Sequence, residues 1–293
     1  MTLEGLLADN KIVVADGAMG TILMGAGMPP ANTPEAINLS HPDILENIAA
    51  AYLAAGSQII QTNTFGASAT RLAEFGLADR TVEINTAAVK AVRKVVGEKA
   101  LVSGSCGPSG KLLAPYGDGD PDDIKAGFRR QMVALIDAGA DLICVETMID
   151  PVEAELAITA AREIAPHIPI MATMTFDETP KGYYTMMGTG IIEAAQRMEQ
   201  AGATVVGSNC GNGLRKMIAI GGQFVQATQL PVIIQSNAGL PEMIAGDTVF
   251  PETPDYFGAL IHELVETGVA IVGGCCGTTP EHIKSIRAVV DAL

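Results

Sequence analysis

The chain has 293 residues, 48% hydrophobic, 17% charged and 4% aromatic, with no Trp, so it can bury a core of Val, Ile, Leu, Ala and Met and is not of the disordered class. Its formal net charge of −15 argues against nucleic acid as a partner, because an acidic surface repels a phosphate backbone. That charge serves solubility or, less simply, docking to a basic partner.

The first residues, MTLEGLLADNKIVVADG, carry acids where a signal peptide has its basic region. No apolar run is long enough to span a bilayer. The expectation is a cytoplasmic protein with no membrane contact. Five cysteines, an odd count in a reducing compartment, argue against a disulfide framework and for metal binding or catalysis.

Short β-branched runs then alternate with helical stretches. Strands are predicted at 11–16 (KIVVAD), 57–62 (SQIIQT), 100–105 (ALVSGS), 141–146 (DLICVE), 168–175 (IPIMATMT), 203–208 (ATVVGS), 231–236 (PVIIQS) and 269–274 (VAIVGG). Most are near-continuous apolar runs, which suits parallel strands covered on both faces. The segment 40–57 reads as a helix with Ser40 as N-cap, Asp43 in its first turn and Gly56 just past its end. Segment 120–140 repeats that design, with acids at its start and Gly139 at its end. The stretch 150–165 has Pro151 at its first helical position. Segment 191–203 ends in the same Ala-Gly-Ala punctuation, and 279–293 opens with Thr279 as N-cap followed by Pro280. Eight strands alternating with helices imply an α/β fold, a (β/α)8 TIM barrel. A doubly wound sheet is the alternative, but GAMGTILMGAG (17–27) does not supply G-x-G-x-x-G. No linker, repeat or low-complexity segment divides the chain, so 1–293 reads as one domain.

A TIM barrel carries its site at the C-terminal ends of its strands. Those ends supply Asp16-Gly17, TNTFG (62–66), CGPSG (106–110), Glu146-Thr147, NCGNG (209–213), NAG (237–239) and CCGTT (275–279). Cys210, Cys275 and Cys276 lie at this rim, after the sixth and eighth strands, close enough to converge. Three thiols on a glycine-rich rim suit zinc, which takes thiolates tetrahedrally and keeps one position open in a catalytic site. Gly273, Gly274 and Gly277 let neighbouring side chains turn to one ion. The adjacent pair can equally pack or act as a redox switch. Cys144, inside the fourth strand, reads as a small buried hydrophobe, and Cys106 is open between packing and a rim role. The four histidines, His41, His167, His262 and His282, read as surface or capping residues.

DGAMGT (16–21), QTNTFGAS (61–68), VET (145–147), GSNC (207–210) and GGCCGTTP (273–280) occur in this order at strand ends. Together they resemble the homocysteine S-methyltransferase family, most of all the homocysteine-binding barrel of the cobalamin-dependent methionine synthase type. The resemblance spans essentially the whole chain and implies a zinc-dependent enzyme that methylates the homocysteine thiol to give methionine. It implies zinc ligands at Cys210, Cys275 and Cys276, with Asn237 able to take the fourth position before substrate binds. It implies that Asp16, Gly17, Ala18 and Glu146 hold the amino-acid part of homocysteine. Carboxylates suit an ammonium, and amides of a glycine turn suit a carboxylate. Asn63 and Asn209 either hydrogen-bond ligand or metal thiolates or stabilise turns.

The methyl donor stays open between two chemistries. The 293 residues contain no D-x-H-x-x-G corrinoid-binding signature, so a methylcorrinoid such as methylcobalamin would sit on a separate protein docked over the mouth. Otherwise a small onium donor such as betaine or S-methylmethionine would enter directly. The loop KGYYTMMGTG (181–190), with Tyr183, Tyr184, Met186 and Met187, suits corrinoid docking, a quaternary-ammonium cage or a lid packed on its own barrel. Another small thiol is a further acceptor. Two other classes are a barrel hydrolase using Asp16 and Glu146, and a silent subunit that binds thiol or corrinoid protein without turnover.

Overall fold

The computed structural model describes residues 1–8, 11–25, 33–244 and 247–293. All eight predicted strands form: β1 (Val13–Val14), β2 (Ile59–Gln61), β3 (Leu101–Cys106), β4 (Leu142–Met148), β5 (Ile170–Met174), β6 (Val205–Gly213), β7 (Val232–Asn237) and β8 (Ile271–Gly274). They make one sheet in the order β1-β8-β7-β6-β5-β4-β3-β2, with every neighbouring pair parallel. A single parallel bridge from Ala15 to Ile59 joins the two ends, so the sheet closes into a TIM barrel.

Eight helices follow the strands in turn: α1 (Pro42–Ala54), α2 (Thr81–Val96), α3 (Pro121–Asp137), α4 (Pro151–Ile164), α5 (Ile191–Ala201), α6 (Leu214–Ala227), α7 (Pro254–Glu266) and α8 (Pro280–Val290). Their starts follow local chemistry. Asp120 accepts hydrogen bonds from the Asp122 and Asp123 amides, and Asp150 accepts one from Val152. Helix α1 begins one residue later than predicted. Ser40 ends a short helix, Ile37–Ser40, and His41 is the N-cap because Pro42 fixes the first helical position. Gly56 follows α1 at φ +99°, and a Cβ there would meet Arg287 Cγ at 2.5 Å, so two constraints ask for glycine.

Two layers fill the barrel. The lower interior is apolar: Val13, Ile59, Leu101, Leu142, Cys144, Met171, Val205, Ile233 and Ile271 pack together, with Leu3 of the short helix Leu3–Leu7 against them. Side chains of a strand return to the same face every second residue. On β4 the inward series Leu142, Cys144, Glu146 therefore climbs from core to site. Two antiparallel hairpins rise from the rim, Asp177–Thr179 with Gly182–Tyr184 after β5 and Glu242–Ile244 with Asp247–Val249 after β7. Among the described residues no helix is long and apolar enough to cross a membrane.

Candidate functional site

The three rim cysteines converge. Their sulfurs all lie within 4.8 Å of one another, and Cys210 Sγ is 3.8 Å from Cys276 Sγ. Cys210 gets there through an irregularity: the β6–β7 register shifts between Asn209 and Gly213. Within the resulting bulge Cys210 takes a left-handed backbone, φ +60°, rare for a residue other than glycine and able to re-aim its thiol, and Gly211 beside it is left-handed too, φ +72°. The other arm is pinned to β7. Cys275 N donates to Ser236 O at 2.7 Å, and Ala238 N donates to Cys276 O at 2.9 Å. Thr278 closes the turn, its hydroxyl donating to Cys275 O at 2.7 Å.

The proton balance of this cluster tests what it could hold. Hydrogen bonds from the Cys275 and Cys276 thiols push the Cys210 pKa down. The thiolate so formed pushes Cys275 well up and Cys276 up to about 12. Loss of one proton therefore makes the other two thiols harder to deprotonate. A divalent ion that favours sulfur removes that conflict, and an all-thiolate set of three suits zinc. Asn237, buried at the end of β7, stands within hydrogen-bonding reach of Cys210, and its Oδ1 has no partner among the described residues. An orphaned buried oxygen on this residue next to Cys210 fits a fourth donor.

Next to the thiols lies a pair of buried carboxylates. Asp16 Oδ2 accepts from Gln61 N at 2.8 Å, while Oδ1 has no partner among the described residues. Burial raises the Asp16 pKa to about 8, and the nearby Glu146 charge adds to the rise. Glu146 is raised to about 7, again mainly by burial, against the opposing hydrogen bond from Ser105. Glu146 Oε1 accepts from Ser105 Oγ at 2.5 Å and Oε2 from Asn209 Nδ2 at 3.2 Å. Asn209 is the link between the two halves. Its Nδ2 also donates to Thr147 Oγ1 at 2.8 Å and lies 3.8 Å from Cys275 Sγ. Its Oδ1 accepts from Thr147 N at 2.8 Å and Thr173 Oγ1 at 2.7 Å, which fixes the amide's orientation.

The Asp16-Gly17-Ala18 turn is wedged between Tyr52 and Thr278. Ala18 N donates to Thr278 Oγ1 at 3.1 Å, and Tyr52 OH donates to Ala18 O at 2.7 Å. A Cβ on Gly17 would meet both hydroxyls, at 2.6 and 2.8 Å. Asn63 is employed elsewhere. Its Nδ2 donates to Pro34 O at 2.9 Å and Asn38 Oδ1 at 2.8 Å, tying the segment before α1 to the end of β2. Cys106 and Cys144 are fully buried away from the cluster. His282 is buried as a cap, its Nδ1 accepting from Thr279 N at 3.1 Å. Tyr183 packs against the outer core while Met186 is 72% exposed, so this loop does not gather into one cage. Sequence reasoning missed Tyr52, Ser105, Thr173 and Thr278. Strand parity would have found Ser105 and Thr173, which face inward like Glu146. Tyr52 sits on a helix with no local sign of its role.

Comparison with known proteins agrees with this geometry. The family model "Homocysteine S-methyltransferase" matches residues 13–290, and the chain belongs to that family. It is 33% identical over 96% of its length to the methionine synthase of Mycobacterium tuberculosis, and 31% identical over 96% to that of Mycobacterium leprae. The chain spans about a quarter of the length of these curated relatives, 25% and 24%. Among solved structures it resembles the homocysteine methyltransferase MmuM from Escherichia coli in its metallated form, with a TM-score of 0.81 at 24% identity, covering 98% of this chain and 99% of that one. The oxidized form of the same protein matches with a TM-score of 0.80 at 24% identity, covering 98% of each chain.

Proposed function

We propose that residues 1–293 form the homocysteine-binding domain of a zinc-dependent methyltransferase that produces methionine. The methyl group comes from a methylcorrinoid carried outside these residues. The observation that carries the reading is the juxtaposition of three sulfurs within 4.8 Å of one another with the buried pair Asp16 and Glu146. One end of such a site suits a thiol and the other an ammonium.

Cys210, Cys275 and Cys276, with Asn237 beside them, would hold the zinc, and the chemistry it would supply there is a lowered pKa for an incoming thiol at neutral pH. The side chains supply the rest. Asp16 and Glu146 hold the substrate ammonium, whose charge offsets the burial that raises both pKa values. Gly17 and Ala18 belong to the carboxylate end of the grip. Ala18 N–H already donates to Thr278, so we assign amide recognition to Gly17. Asn209 holds Glu146 while lying beside Cys275, which sets the distance between the amino-acid grip and the sulfur. No side-chain base is needed for methyl transfer itself. The hydrolase reading leaves the three converging thiols beside these carboxylates without a role.

A methylcorrinoid unit is supported by the relatedness to methionine synthases over 96% of this chain. Exposed apolar side chains on the rim, among them Tyr116, Met186, Leu240, Met243 and Ile244, suit a large docking partner better than a small solute. The test is methyl transfer to homocysteine by zinc-loaded protein with free methylcobalamin, following the corrinoid spectrum and quantifying methionine. Demethylation that Cys276→Ala abolishes is the expected result. Methionine formed only from betaine or S-methylmethionine moves the assignment to a small-donor enzyme. Inactivity with every donor and with homocysteine overturns the acceptor.

A further inference from the structure

The three thiols sit on two separate arms, the bulge of β6 and the turn after β8, with Asn237 on β7 between them. Something must hold these arms in register. Glu252, in the segment between the second hairpin and α7, bonds to the chain that follows each of β6, β7 and β8, at Leu214, Ala238 and His282. Its carboxylate Oε2 accepts from Leu214 N at 2.9 Å, at the start of α6. Gly213, the N-cap of that helix, provides no capping side chain, so Glu252 caps α6 from another part of the chain. Its backbone N–H donates to Ala238 O at 2.9 Å, next to Asn237. Its backbone oxygen faces His282 Nε2 at 2.9 Å, on α8. Because His282 Nδ1 accepts from Thr279 N, Nε2 carries the proton and donates to Glu252 O. Gly213 completes the fit: a Cβ there would lie 2.1 Å from Glu252 Oε1.

We propose that Glu252 is a positioning residue for the three-thiol site, clamping the Cys210 arm to the Cys275–Cys276 arm through the cap on α6. This rests on the metal reading above. The carboxylate contacts no cysteine. It acts by fixing where α6 begins, four residues after Cys210, while its backbone grips the β7 end and α8. Groups that orient metal ligands from behind typically change metal affinity by ~10- to 100-fold when removed.

The experiment uses the full chain, with zinc affinity read by chelator competition and site geometry by the cobalt(II) absorption spectrum. Glu252→Ala should weaken zinc by ~10- to 100-fold and alter the thiolate-to-cobalt bands. Glu252→Gln, which keeps an oxygen for Leu214 N–H, should restore most of the affinity and the spectrum. Gly213→Ala, which displaces the carboxylate, should mimic Glu252→Ala, and combining the two should add little. Thr253→Ala removes the N-cap of α7, whose hydroxyl accepts from Tyr256 N at 3.3 Å, and reports general loss of stability. Glu252→Ala with wild-type zinc affinity overturns the proposal and leaves the metal reading intact. So does an affinity loss equalled by Thr253→Ala, or one that Glu252→Gln does not rescue. A wild-type chain that takes up neither zinc nor cobalt overturns the metal reading, and the clamp falls with it.

Discussion

The lower and upper halves of the barrel are built on the same eight strands and differ in almost everything else. Below, Val13, Leu101, Leu142, Met171, Val205 and Ile271 form a dry plug with Leu3 beneath it. Above, positions on the same inward faces hold Ser105, Glu146, Thr173, Asn209 and Asn237, and several buried polar atoms there have no partner among the described residues. The lower half gains stability by burying apolar area. The upper half gives some of it up, because buried carboxylates and unpaired amides cost free energy until a ligand satisfies them. Two residues along a strand separate a stability position from a chemistry position.

Substitutions in each half should therefore fail in different ways. The largest effect is expected from Cys276→Ala, which removes one of three converging thiols. Methionine formation should fall at least ~10³-fold, with loss of bound zinc but little change in melting. Met171→Ala in the plug should do the reverse. It should cost about 2–5 kcal/mol in denaturant unfolding and leave zinc stoichiometry unchanged. Glu146→Gln should weaken homocysteine binding by ~10- to 100-fold, the worth of a charged hydrogen bond, with zinc retained, as titration calorimetry can read.

A smaller effect separates the halves by pH. In metal-free protein Asp16 and Glu146 have folded pKa values of about 8 and about 7, above their ordinary 3.8 and 4.5. Below about pH 3 both carboxyls are protonated in folded and unfolded chains alike, so they carry no penalty. As pH rises, the unfolded chain releases these protons first, and stability falls until the folded pKa values are passed. Asp16→Asn should thus melt above wild type near pH 8, the gap closing towards pH 3. The smallest effect is expected from Cys144→Ala, about 1 kcal/mol of stability with metal content untouched, because this thiol belongs to the plug. A loss of zinc in that variant would break the division between the halves.

Much of this division is legible in the sequence. Apolar runs mark all eight strands because both faces are covered, and glycines mark the rim where their motifs sit. The convergence of Cys210 with Cys275 and Cys276 follows from strand order alone. The bulge that turns Cys210 does not, because it depends on the pairing of β6 with β7. The start of α1 is displaced from Ser40 to His41 because a second short helix uses Ser40. Asn63 and Asn209 are alike in the sequence, each an asparagine after a strand, but Asn63 is bonded to Asn38, 25 positions earlier, and nothing local announces that contact. Glu252 lies between motifs and reads as an ordinary exposed acid until α6 and α8 are folded against it.

The single bridge that closes the barrel has a dynamic consequence. Between β1 and β2 the ladder is held by Gln58 N on Val14 O at 2.7 Å and Asp16 N on Ile59 O at 3.0 Å. That is the shortest seam in the ring, and Asp16 stands at its upper end. A molecule gripped by Asp16 and Glu146 spans from β1 to β4 across the interior, bracing the seam from within. Hydrogen exchange at the amides of Gln58 and Asp16 should slow when homocysteine binds, while amides deep in β4 and β5 should barely change. Occupancy would then be felt as a stiffening of the seam where the barrel closes.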